Sequence, residues 1–187
     1  MPDAIELLKT RRSPRIPDLI EPGPGEEEIA TLLTVAARVP DHGKLTPWRF
    51  LVLKREGRKP LAEKLSRCFR ADHPEATADQ IDKEQSRFAD TPLIIGVISR
   101  AAPHPKIPEW EQVLSAGAAC MNLVNAAHAL GYGANWVTGW AAYDKSCREL
   151  LGIVASERVA GFVHIGTPKA ALEDRPRPKL SDIVTRL

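Results

Sequence analysis

The chain has 187 residues, 43% of them hydrophobic, which suits one compact domain spanning 1–187 with a core of its own. Its 26 basic and 24 acidic side chains leave a formal charge of +2, which gives no general drive toward nucleic acid or a membrane surface, so any anion site must be local. Cys68, Cys120 and Cys147 are odd in number and far apart, forming neither a disulfide framework nor a metal-type pair. No basic region followed by an apolar run opens the sequence, and a reducing cytoplasm is the simplest setting.

In chain order, residues 3–10 predict a short amphipathic helix running into Arg11-Arg12-Ser13-Pro14. Pro14 disfavours helical geometry at Ser13, so this basic cluster sits in a turn at a helix end. A Pro/Gly-rich loop over 22–25 precedes a helix that starts on three glutamates, as the positive end of the dipole favours, and stops before Pro40. The loop 40–47 leads to a strand over 48–54. Residues 58–70 and 78–88 predict two charged surface helices. The continuous apolar run 92–98 predicts a central strand.

Residues 108–130 predict a long helix, and no charged residue occurs from 112 to 143. Ser115, Asn122, Asn125 and His128 interrupt that stretch, so it suits a helix buried in a core or subunit interface better than a membrane span. Gly131-Tyr132-Gly133 ends it, a short strand covers 134–138, a helix 144–151 and a last core strand 158–165. The tail from Lys169 reads as extended. Strands and helices around one sheet imply an α+β or three-layer arrangement.

No phosphate loop, HExxH, CxxC or GxSxG is present, and 131–136 fails the dinucleotide fingerprint because Trp136 replaces the third glycine. No metal site or acyl-transfer nucleophile follows. Four clusters remain, each with a plain alternative. Arg11, Arg12 and Ser13 could grip a phosphate or be a solvated helix end. Arg38 and His42, one turn apart, could serve one site or none. Backbone around 131–139 could bond a flat ring or merely turn. Arg175 and Arg177 could be held outward by Pro176 and Pro178 for a ligand or for solvent. Trp48 reads as a core anchor. His73, His104, His128 and His164 have no evident partner.

In order, Arg11-Arg12-Ser13, the stretch 37–42 with Pro47-Trp48, Trp110-Glu111, Ser115-Ala116-Gly117, Gly131-Tyr132-Gly133 with Trp136, and Gly161-Phe162 with Gly166-Thr167-Pro168 resemble the nitroreductase family, closest to a short branch carrying Pro-Asp-His. The resemblance covers essentially the whole chain. It implies a three-layer fold, a mixed central sheet flanked by helices, and an intertwined homodimer with flavin mononucleotide (FMN) between subunits. Arg11 and Ser13, with Arg12 beside them, would bind the flavin phosphate. Arg38 and His42 would reach the flavin from the partner. Asn135, Trp136 and Val137, with Thr138 and Gly139 behind them, would line the ring edge, largely through backbone. Arg175 and Arg177 would close on the phosphate, and Arg15 would lie near the pyrimidine edge.

The implied activity is hydride transfer from NAD(P)H and reduction of a nitroaromatic, quinone or similar acceptor by a ping-pong route. No side chain is assigned as catalytic acid or nucleophile. Rival readings are a dedicated metabolic flavoenzyme of the same fold, a non-catalytic flavin or nucleotide binder, and an anion-binding interaction module.

Overall fold

The apolar run in the middle of the sequence becomes the middle of a sheet, as its composition requires. In the computed structural model, which describes residues 3–187, strand β3 (Leu93–Ser99) is buried at every position. Met1 and Pro2, the first residues of the expected domain and of the N-terminal stretch without a leader pattern, lie outside the described residues. β2 (Trp48–Lys54) and β5 (Arg158–Pro168) flank β3, with Val52 opposite Ile95 and Ile95 opposite Val163. The other edge of β5 takes β4 (Gly133–Val137), with Asn135 opposite His164. The two-residue β1 (Leu19–Ile20) pairs with the end of β5.

Every pairing among the described residues is antiparallel, which corrects the expectation of a mixed sheet within the chain. The reason lies in the connections. Two helices, α3 (Arg58–Asp72) and α4 (Ala78–Ala89), join β2 to β3 and return the chain to the end it left. A single helix, α5 (Glu109–Ala129), joins β3 to β4, but β5 lies between those two strands.

Alternation along β3 feeds two cores. Ile95 and Val97 face α5 and α2 (Glu26–Ala36), packing with Leu32, Ala119 and Leu123. Ile94 and Ile98 face α3, α4 and α6 (Lys145–Leu150), packing with Leu65, Phe88 and Cys147. The three-layer arrangement expected from the sequence is therefore present. The small residues Ala116, Ala119 and Ala127 let α5 lie close against the sheet. No helix among the described residues is long and apolar enough to cross a membrane.

Two regions leave apolar or extended surface exposed. The start of α5 exposes Trp110, Val113 and Leu114. From Lys169 onward every residue is exposed, and the tail is interrupted by one short helix, α7 (Leu180–Ile183).

Candidate functional site

Helix α1 (Ala4–Thr10) begins on the Asp3 side chain, which accepts the Ile5 N–H at 2.9 Å, and ends at Arg11. The turn that follows is fixed against β4. A Cβ on Gly133 would fall 2.8 Å from the Pro14 ring, so only glycine permits this approach. The Asn135 amide donates to the Pro14 carbonyl at 2.6 Å. At the end of α5, the two His128 ring nitrogens face the Arg12 carbonyl at 2.9 Å and the Tyr132 carbonyl at 3.0 Å. Burial and then the nearby Arg11 charge push His128 down to about 4. At neutral pH it therefore donates to one of the two carbonyls.

This turn gathers positive charge from distant parts of the sequence. Arg12 bonds the Glu173 carbonyl and lies 3.8 Å from the Asp174 carboxylate, which Arg177 contacts at 2.9 Å. The tail thus folds back to bring Arg177 to the Arg11-Arg12 turn through Asp174. Burial, and next the Arg177 charge, hold Arg11 below the usual guanidinium range. Arg11 forms no ion pair among the described residues. Ser13 is exposed at the same turn, and Arg175 is exposed on the same tail.

β4 forms the adjoining wall. It pairs with β5 alone, so its other edge leaves backbone groups open to a ligand. Its side chains alternate. The Trp136 indole turns back to donate to the Ala160 carbonyl at 3.1 Å, while Asn135 faces the opposite side. Val137, Thr138 and Gly139 continue the edge. Gly139 has a φ of +72°, and a Cβ there would fall 2.5 Å from an Arg87 nitrogen.

Arg87 carries a signal that the sequence reading missed, because α4 looked like a solvated surface helix. With Arg15, Asn135 and Thr91 it lines a cavity of about 830 Å³ floored by Leu19 and Ile20. Behind it, His164 is fully buried, its Nδ1 3.1 Å from the Thr91 hydroxyl, and burial holds it down to about 3. His128 and His164 both have partners that the sequence did not reveal.

His42 stands apart from this cluster, and Arg38 lies along α5 between the two. The 40–47 loop is held by Ser115, whose hydroxyl donates to the Pro40 carbonyl at 2.6 Å and accepts the Trp48 indole N–H at 3.1 Å. Trp48 is a core anchor, as expected. The Asp41 carboxylate accepts the Leu45 and Thr46 N–H groups at 2.9 Å each, holding Lys44 and Thr46 at positive φ. His42 then points outward to Glu111, 2.7 Å away. Glu111 starts α5 and His128 ends it. At 1.5 Å per residue, their separation along the axis is roughly 25 Å. Within one chain, His42 and Arg12 cannot touch the same small ligand. Arg38 is exposed, its carbonyl bonded by Asn122.

Among the described residues no cluster of His, Cys, Asp and Glu could hold a metal ion. The result is a three-layer α+β protein with an arginine-rich turn beside an open sheet edge. A model of the nitroreductase family matches residues 8–167. YdjA of Escherichia coli K12, which carries the provisional name NAD(P)H nitroreductase, is 36% identical over 167 residues, covering 89% of each chain. In structure, a nitroreductase-like family protein from Bacillus cereus superposes with a TM-score of 0.87 at 24% identity, covering 100% of this chain and 97% of the other. A provisionally named nitroreductase from Desulfovibrio desulfuricans, solved in complex with FMN, gives 0.76 at 21% identity over 100% and 98%. The chain belongs to the nitroreductase family.

Proposed function

We propose that the protein is an FMN-dependent oxidoreductase that takes a hydride from NAD(P)H and reduces nitroaromatic, quinone or similar acceptors in two half-reactions, working as a homodimer. The observation that carries this reading is the return of the tail to the α1 turn, where Arg12 and Arg177 share Asp174 at 3.8 and 2.9 Å. Arg11 at the same turn has no carboxylate among the described residues, an arrangement that a phosphate would relieve. FMN, when bound, supplies the two-electron carrier between nicotinamide and acceptor.

The chain's own residues divide the remaining work. Arg11, Arg12, Ser13 and Arg177 would hold the phosphate, with Arg175 closing from the same tail. The free edge of β4 from Asn135 through Trp136, Val137 and Thr138 to Gly139 would orient the ring through backbone groups. Arg15 and Arg87, paired with Asp18 and Glu84, line the neighbouring cavity and would lend positive charge to the reduced ring.

One distance supports the homodimer reading. His42, roughly 25 Å along α5 from the phosphate turn, would join such a site only from a second copy, with Arg38 of that copy beside it. The exposed Trp110, Val113 and Leu114 of α5, and Leu172, Leu180, Ile183 and Val184 of the tail, supply apolar surface for that copy.

The test is the visible spectrum of the purified, desalted protein, repeated under nitrogen with NAD(P)H. A bound flavin spectrum that bleaches, and recovers with a quinone or nitroaromatic, is the expected result. A protein that stays colourless after incubation with FMN and removal of the unbound flavin would overturn the reading. Flavin that binds but never bleaches would leave a non-catalytic binder.

A further inference from the structure

The second core contains a pair of thiols that the flavin site does not use. Cys68 lies on α3 and Cys147 on α6, two helices that pack against each other. Cys147 is fully buried, and Cys68 packs against the cluster that encloses it. The two thiols therefore share one core between α3 and α6. The third cysteine, Cys120, is sealed in the opposite core under α5, where burial pushes it up to about 12.

The two thiols of the pair differ in access. Cys68 is half-buried and borders an open surface depression of about 530 Å³, whose rim includes Lys64, Arg67, Asp144 and Ser146. A small oxidant can reach Cys68 there, with cationic donors beside it. Cys147 has no such opening, and burial raises its thiol well above the usual range. Beside it, the Asp144 carboxylate caps α6 by accepting the Cys147 N–H at 2.8 Å, which holds a carboxylate at the same residue as the buried thiol. The arrangement therefore offers an accessible sulfur, a sheltered second sulfur and a proton acceptor for the second.

We propose that Cys68 and Cys147 are a peroxide-oxidisable dithiol that closes to an intrachain disulfide joining α3 to α6. The Cys68 sulfur attacks one oxygen of hydrogen peroxide, forming the sulfenic acid as the O–O bond breaks and the leaving hydroxide takes up the thiol proton as water. The Cys147 sulfur then attacks the Cys68 sulfur. Its proton passes to Asp144, the S–O bond breaks, and the departing hydroxide is protonated to water. Overall two thiols and one hydrogen peroxide give one disulfide and two waters. The crosslink would brace the segment after the flavin-lining strand, because α3 already grips Trp140, one residue beyond Gly139, through Asp72 at 2.7 Å and an edge contact with Phe69.

This pair stands independently of the flavin reading. The experiment uses the full chain as purified, treated with a small excess of hydrogen peroxide under nitrogen. Intact mass, a thiol count in denaturant and non-reducing peptide mapping are then read. The expected result is a loss of 2 Da, a fall from three thiols to one, a Cys68–Cys147 linked peptide and an unmodified Cys120, all reversed by a dithiol reductant. C68S should show no mass loss, and C120S should still lose 2 Da. Oxygen adducts on Cys68 with Cys147 still free, a Cys68–Cys68 bond between chains, or three unreacted thiols would each overturn the proposal. The wild-type mass and map decide the matter even if a variant folds poorly.

Discussion

Replacing Arg11 by glutamine separates the phosphate role from a structural one, because the two make opposite predictions for the flavin-free protein. Arg11 is partly desolvated beside Arg177 and forms no ion pair, so its charge does not stabilise the empty turn. R11Q should leave flavin-free stability within about 0.5 kcal/mol, as for a surface change away from special contacts. The holoenzyme should differ. A charge-assisted hydrogen bond contributes about 1.5–3 kcal/mol, so FMN affinity should fall roughly 10- to 100-fold.

Linkage turns this into a melting experiment. Flavin at 100 times the wild-type Kd stabilises the fold by about 2.7 kcal/mol, and a 30-fold weaker variant would retain about 1 kcal/mol at the same concentration. Chemical denaturation with and without FMN, alongside fluorescence titration, reads both numbers. An R11Q protein that binds FMN as tightly as wild type would refute the assignment. One that loses 2 kcal/mol without flavin would show that Arg11 is structural.

Other outcomes follow from single contacts. Gly139→Ala puts a side chain at positive φ against Arg87, so about 1–3 kcal/mol of stability should be lost in urea, with a drop in acceptor reduction. Glu157 is buried against Arg49, at 2.7 Å, and Arg100; hydrogen bonding from Arg49 leads in holding it down to about 2. A depressed carboxylate contributes stability above its unfolded pKa, here about 4.5, and loses it as pH falls toward 2. Denaturation from pH 6 to 2 should show a steep decline of up to about 3 kcal/mol from this group. E157Q should be weaker at pH 6 and flatter below; parallel curves would exclude this ion pair as the cause. Co-expressed R11Q and H42A chains should form mixed dimers with one intact site, recovering activity that each variant lacks alone. Failure to recover it would place His42 outside the partner's site.

Much of this architecture was legible because local physics fixes it. A short uninterrupted apolar run after Pro92 suits a strand buried on both faces, and 93–99 is one. An uncharged, Ala-rich stretch after Pro108 suits a helix packed closely on a core, and α5 packs on the sheet. Pro14 ends α1's helical run and leaves Arg11, Arg12 and Ser13 in a turn. The sheet's direction was less accessible, because it depends on whether one or two helices return the chain, and on β5 inserting between β3 and β4. Arg87 was invisible for a related reason. Nothing within α4 distinguishes it from Lys83 or other charged neighbours until Gly139 is placed beside it.

The sequence by itself determined the elements, the two-sided core and the basic turn, since these follow from periodicity, proline and glycine over a few residues. Tertiary structure alone decided that Arg177 returns to Arg11 across more than 160 positions, that Asn135 and Gly133 clamp Pro14, and that His42 lies a helix length from the phosphate turn. Those relations are set by how the chain closes on itself, which no local pattern records.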